Sequence, residues 1–359
     1  MCNSFSIQIS LAGDIFLPDK LARTVNNPNQ KNGKSSFLEP FKDSDVILCN
    51  FEAPISDSAK ERERKQYNLK NDLTVLDFFD DRFVLSLANN HIMDYGKDGL
   101  KNTITFLKEK NLIFAGAGKN IEEASRPAFV SCKGIQFAVI CAADPRFQPA
   151  GTNTPGTLPA KPEHLIPIIH EAKDKADYVF ISIHAGMEFT SIPTPFMIKL
   201  ADQCLQAGAK IVKFHHAHCL SGQTENEKGI ILWGGGNYVF PYIIPGGFSP
   251  WFQSAVWKVT INRAQQFKIN EIIPVQLDRT GFPHKALGKS AAKINAKINK
   301  YSSRINKGKN LYLWRLFSVL HPVFIWLALN NYAGMARRMG LNCVFKQIVS
   351  TFLLYSRKK

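Results

Sequence analysis

The stretch Ser86-Leu-Ala-Asn-Asn-His-Ile-Met-Asp-Tyr-Gly96 decides how this chain is read. It follows a short apolar run, Phe83 to Leu87, with the composition of a buried strand. It then presents Asn90, His91 and Asp94 before Gly96, and helical spacing follows from Gly99 to Lys110. A strand that ends in amides and an imidazole, then turns into a helix, places ligating groups where layered α/β folds bind their ligands, at the carboxyl ends of strands. The same device recurs outward in both directions. Phe5 to Leu11 alternates apolar and polar residues and ends at Gly13-Asp14. Asp45 to Cys49 runs into Asn50-Phe51-Glu52, Tyr178 to Ile183 into His184, and Lys210 to Phe214 into His215-His-Ala-His218. Ile230 to Trp233 leads to Gly234-Gly-Gly-Asn237. Phe129 to Ala142 reads as a hairpin turning at Lys133-Gly134, and Glu163 to Asp174 and Phe196 to Gly208 read as helices. Lys60 to Lys70 reads as a charged surface segment, and residues 144–162 as a long loop. Repetition of strand, polar loop and helix predicts an α/β (α+β) layered domain, closing near residues 275–284.

Separate strand ends thus carry metal-ligand residue types: Asp14, Glu52, Asn90 with His91, His184, and His216 with His218. Carboxylates and imidazoles suit borderline divalent ions such as manganese, zinc or iron. Two such ions about 3.5–4 Å apart clamp a phosphoryl group, and a further histidine can protonate the leaving oxygen. His164, His170, His284 and His321 read as ordinary surface or structural residues. Alternation along the chain turns His215 away from its ligating neighbours. Arg126 and Arg146 are either phosphate contacts, since guanidinium forks suit that geometry, or surface charges.

Charge is distributed unevenly. The formal net charge is +16, yet residues 285–359 hold 15 Lys and Arg and no acid, leaving 30 bases and 29 acids in the rest. A near-neutral body with a basic tail points to an anionic partner for the tail. Lys285, Lys289, Lys293, Lys297, Lys300 and Arg304 recur every three or four residues, with Ile294, Ile298, Tyr301 and Ile305 between them, which gives a helix a basic and an apolar side. Leu311 to Leu329 follows, rich in Leu, Phe and Trp; its cleanest apolar run, Leu316 to Leu329, is short for a membrane span. Two readings stay open for this tail: an anchor on an anionic membrane surface, or a helical cap on the main domain. Nucleic acid is disfavoured, because the tail's aromatics cluster apart from its bases. Seven cysteines without a C-x-x-C pair fit a reducing compartment. The first residues show no basic and apolar leader pattern. The expected location is cytoplasmic, peripheral on the inner face of the membrane.

Leu11-Ala-Gly-Asp14, Asn50-Phe-Glu52, the stretch 86–96, Gly116-Ala-Gly118, Ser182-Ile-His-Ala-Gly-Met-Glu188, His216-Ala-His218 and Gly236-Asn-Tyr-Val-Phe240 together resemble the ordered motifs of the CapA capsule-synthesis (poly-γ-glutamate) family, related to calcineurin-like metallophosphoesterases. The resemblance spans roughly residues 5 to 245. It implies a metallophosphatase-like sandwich of two sheets flanked by helices, with one or two metal ions in a cleft. On that resemblance Asp14 and His218 hold the first ion, Glu52 stands at the bridging position, and Asn90, His184 and His216 hold the second. His91 becomes the general acid, with Asp94 and Glu188 orienting imidazoles and Asn237 close by. Two departures stand out. The phosphatase Asp-x-His reads Asp14-Ile-Phe16, a ligand that CapA relatives also lack, and Gly-His-His-Pro-His reads Phe214-His-His-Ala-His218. The function implied is capsule or envelope polymer biosynthesis. It takes the form either of a hydrolase or transferase on a phosphate ester or acidic polymer, or of a metal- and polymer-binding scaffold. A nuclease, which needs a basic groove, fits poorly with the near-neutral body.

Overall fold

The computed structural model describes residues 6–25, 33–56, 68–241, 249–262 and 266–308. Its larger sheet has eight strands in the order β16 (Pro283–Lys285), β15 (Phe267–Leu277), β14 (Gln253–Asn262), β1 (Ser6–Ile15), β2 (Val46–Phe51), β3 (Phe83–Ser86) and β4 (Ile113–Ala115), with β13 (Asn237–Val239) paired to the end of β1. The second sheet has six: β11 (Gln223–Glu225), β12 (Ile230–Leu232), β10 (Ala209–His215), β9 (Tyr178–His184), β7 (Ile135–Ala143) and β6 (Ala128–Cys132). A small ribbon pairs β5 (Ala117–Gly118) with β8 (Gly156–Thr157), the latter inside the segment 144–162 read as a loop.

The layers follow from burial. β2 and β9 are buried at every residue, as expected of central strands covered on both faces, whereas the edge strand β6 alternates. Between the sheets, Ile9, Leu11, Leu48 and Trp257 of the larger sheet meet Val139, Phe180, Ile211 and Leu232 of the smaller. The outer face of the larger sheet packs under α1 (Asp19–Val25), α2 (Gly33–Leu38) and α3 (Gly96–Glu109) through Leu21, Phe37 and Leu100. Beside the ribbon lies the single turn α4 (Ile121–Ala124). On the outer face of the smaller sheet, α5 (Pro162–Lys173) and α6 (Pro195–Ala207) bury Leu165, Ile169, Leu200 and Cys204 against Ile181, Ile183 and Phe214. Local chemistry marks the ends: Thr194 caps α6 by accepting from Met197 N, and Gly208 stops it at φ 115°. The predicted hairpin is β6–β7, turned by Lys133 at φ 47° and Gly134 at φ 80°. The β14–β15 hairpin has no counterpart in the sequence reading. The charged segment 60–70 falls mostly outside the described residues.

The sequence reading places a domain boundary at residue 284. The helix that follows, α7 (Gly288–Asn306), buries Ile294 and Ile298 completely in the core between the sheets. It is tied there by Lys297 Nζ donating to Gln253 Oε1 (2.5 Å), Gln223 N donating to Ser302 Oγ (2.9 Å) and Thr224 Oγ1 donating to Asn306 Oδ1 (2.6 Å). Its apolar stripe is spent on the protein, so this part of the tail is a cap, while Lys289, Lys293, Lys300, Arg304 and Lys307 face solvent. Leu311 to Leu329 lies outside the described residues. Among those described, no helix is long and apolar enough to cross a membrane. Replacing Ile298 with Ala is expected to cost about 2–5 kcal/mol of unfolding free energy, read from denaturant midpoints. A free surface helix would show no such loss.

Candidate metal centre

Asp14, Glu52 and His184 converge from the ends of three strands, β1, β2 and β9. Each offers a ligand atom within 4.8 Å of the others, and all three residues are buried. The strand pairing makes this possible. β1 and β2 run parallel with Asp14 opposite Asn50, and β9 and β10 run parallel with His184 opposite His215, so the polar ends of both sheets emerge at one edge of the sandwich. Glu52 Oε1 lies centrally, 4.0 Å from His184 Nε2, 3.8 Å from His218 Nε2 and 4.0 Å from His91 Nε2. Asn90 Oδ1 is 2.9 Å from His184 Nε2, and His216 Nδ1 is 3.1 Å from the same nitrogen. Asp14 Oδ2 lies 3.6 Å from His218 Nδ1. All six residues proposed as ligands are thus brought together.

The supporting residues divide into those foreseen and those not. His91 Nδ1–H donates to Asp94 Oδ2 at 2.6 Å, and Asp94 also accepts from Leu69 N, so the imidazole is fixed with Nε2 toward Glu52. His218 Nδ1–H donates to Asn237 Oδ1 at 2.8 Å, which gives Asn237 a role. Glu188 is a correction. It is exposed on the loop after β9, and none of the described imidazole hydrogen bonds runs to it. His215 is a second correction. It points into the site and donates from Nδ1 to Asp14 Oδ1 at 2.8 Å. Alternation fails there because the chain leaves the strand at once. His216 has φ 92° and His218 φ 53°, which swing both rings back to the side that His215 already faces. Asn50 was not assigned a role and is central: its Nδ2 lies 3.0 Å from Asp14 Oδ1, 3.1 Å from Glu52 Oε2 and 3.2 Å from His184 Nδ1. Asn89 ties the loop down, accepting from His91 N and donating to Phe51 O. An amide closing an apolar strand was the available sign for Asn50. Arg146 sits at the rim with its fork occupied by buried Asp144 (2.8 and 2.7 Å), and Arg126 pairs with Glu122 at the surface. His170 and His284 are exposed and His164 partly so, all away from this cluster; His321 lies outside the described residues.

Electrostatics favour neutral imidazoles and an ionised aspartate. Burial, then the neighbouring His216, pushes the pKa of His184 well down; burial, then His218, does the same to His216. Burial also lowers His215, against its hydrogen bond to Asp14. For Asp14 burial works against ionisation, but the hydrogen bond from His215 and the surrounding imidazoles outweigh it and hold the carboxyl well below its usual range. Neutral imidazole and carboxylate are the forms that ligate metal, so the donor set fits a borderline divalent ion. The sign for stability follows. Below about pH 6.5 the unfolded chain protonates His184 and His216 while the folded one resists it, so metal-free protein loses stability as pH falls from 6.5 toward 5, on the order of 1 kcal/mol per pH unit for each of the two. Asp14 adds a further loss below about pH 4. Thermal unfolding across that range checks this; a midpoint unchanged between pH 7 and 5 contradicts it.

Comparison with known proteins places this cluster in a family. The family model described as bacterial capsule synthesis protein PGA_cap matches residues 8–242, more than half of the chain. The PGA biosynthesis protein CapA of Bacillus subtilis (strain 168) is 34% identical over 244 residues, covering 65% of this chain and 63% of that protein. The capsule biosynthesis protein CapA of Bacillus anthracis is 31% identical over 246 residues, covering 65% and 60%. The chain therefore spans less than two thirds of those relatives. A solved phosphatase from Mycoplasma pneumoniae overlaps with a TM-score of 0.47 at 11% identity, covering 79% of this chain and 95% of that one. By the family match, this chain belongs to the bacterial capsule synthesis (PGA_cap) family.

Proposed function

We propose that the chain is a divalent-metal-dependent phosphoesterase-type enzyme, a hydrolase or transferase acting on a phosphate ester or acidic polymer of the cell envelope. The observation that carries this reading is His91, locked by Asp94 with Nε2 facing a buried carboxylate–imidazole donor set. When bound, a divalent ion supplies Lewis acidity toward a phosphoryl oxygen. Asp14, Glu52, Asn90, His184, His216 and His218 would hold it. Asp94 accepts from Nδ1–H, which sets the ring orientation of His91; as general acid the ring carries a second proton at Nε2, gives it to the leaving oxygen and is left as the neutral Nδ1–H tautomer that Asp94 holds. Phe147, against His216, and Trp251 and Phe240, against His218, wall the site with rings. The capsule and PGA names of the relatives support an anionic polymer or phosphorylated envelope precursor as substrate. The acid-free solvent face of α7 supports an anionic polymer or membrane surface as partner.

A scaffold reading also has an observation behind it. Phe16, which stands where the phosphatase pattern has a histidine, is buried and packs on Phe240 with ring centres 5.0 Å apart, so one ligand position is filled by core. Elemental analysis of purified protein, with turnover of a generic phosphoester, separates the two. The enzyme reading expects bound transition metal in the wild type, reduced by Asp14→Ala or His216→Ala. It further expects His91→Ala to keep the metal while losing about 10²–10⁴-fold in turnover. Metal-loaded wild type with no turnover beyond that of His91→Ala favours the scaffold.

A further inference from the structure

Lys213 lies inside β10 between Val212 and Phe214, and its side chain is fully buried. Register sets it beside Ser182 of β9 and Leu232 of β12, one row behind the His184–His215 pair and on the same face. That face turns to the larger sheet. Lys213 Nζ lies 5.2 Å from the centre of the Trp257 ring. A Cβ on Gly235 would fall 2.8 Å from Lys213 Nζ and 3.3 Å from Gly13 Cα. The ammonium therefore lies beside Gly235, on the side of it that faces Gly13 of β1, and a side chain at 235 would displace it. Among the described residues Nζ has no hydrogen-bond partner.

A buried lysine without a carboxylate pair is costly, and in an ordinary core an apolar side chain of similar size serves better. Two groups favour its charge here, the face of Trp257 and the ionised Asp14 at the end of β1. Burial draws its pKa down to about 8, so the ammonium persists at neutral pH. Asp14 Oδ1 is already engaged by His215 and Asn50. Phe16 offers no ligand, and among the described residues one group of three carboxylate and imidazole donors converges closely enough for an ion.

We propose that Lys213 is a built-in cation behind Asp14 that stands in electrostatically for a second metal ion, so that the cleft takes one divalent ion, held by Asp14, Glu52 and His184. This rests on the metal-site reading above. A fixed positive charge inside the low-dielectric interior repels divalent cations, so it weakens binding of the first ion and opposes entry of a second beside it. Lys213→Met keeps the length of the side chain and removes the charge.

Calorimetric titration with Mn²⁺ and Zn²⁺, with elemental analysis, on wild type, Lys213→Met and Lys213→Gln tests this. The expected result is one ion in the wild type. In the variants a second ion enters, or the first binds at least about tenfold more tightly. A lysine with only a structural role predicts the opposite, since loosening the site weakens metal binding. Circular dichroism selects whichever variant keeps the native fold. Two ions in the wild type, or unchanged affinity and stoichiometry in a folded variant, overturn the role of Lys213 and leave the metal site standing. A wild type that binds no ion under any loading sinks the metal-site reading and this inference with it.

Discussion

The ionised Asp14, taken out of water at the end of β1, is the constraint around which the site is arranged. A buried carboxylate is tolerated only with partners, and here they come from both sheets. Asn50 reaches it from β2, and His215 crosses from β10 of the opposite sheet. The backbone has to allow this. A Cβ on Gly13 would meet Gly236 O at 2.0 Å, so β1 and the loop before β13 approach closely only because position 13 is glycine. The Gly-Asp and Gly-Gly-Gly-Asn elements are one structural device, split by more than two hundred residues of sequence.

Ligand placement costs backbone strain. Ala53, His216 and His218 all adopt positive φ without being glycine, a conformation that costs about 1–3 kcal/mol per residue and persists only where surrounding contacts enforce it. Those contacts are visible: Phe189 N donates to Ala217 O, His218 is held by Asn237, and Asn89 grips the strand end at Phe51. α7 takes part from behind, since Gly222 packs on the backbone of Ser302 and Gln223 N donates to its hydroxyl. The basic helix thus braces the segment that carries His216 and His218 while presenting its charges outward.

The strand ends, the layered class and most ligand residue types were legible in the sequence, because apolar runs of strand length ending in Asp, Glu, Asn or His are local patterns. Asp14, Glu52, Asn90, His91, His184, His216 and His218 each announce themselves within a few residues of their strand. The paired roles of Asp94 with His91 and of Asn237 with His218 became definite only once distances were available. The sequence could not place His215, because a rule of alternation holds only while the strand continues, and φ 92° at His216 ends it. Glu188 is close to His184 in sequence yet exposed, since the intervening Gly186 at φ 124° turns the chain away.

By itself, then, the sequence determined the succession of strands and helices, the donor chemistry and the amphipathic character of residues 288–306, because these depend on short-range periodicity and residue type. Tertiary structure alone decided that Asn50 links Asp14, Glu52 and His184, that Lys213 lies buried in β10 over Trp257, and that Ile294 and Ile298 of α7 pack into the core. Each of these depends on which surfaces meet across the two sheets, and contacts between segments far apart in the chain leave no local pattern to read.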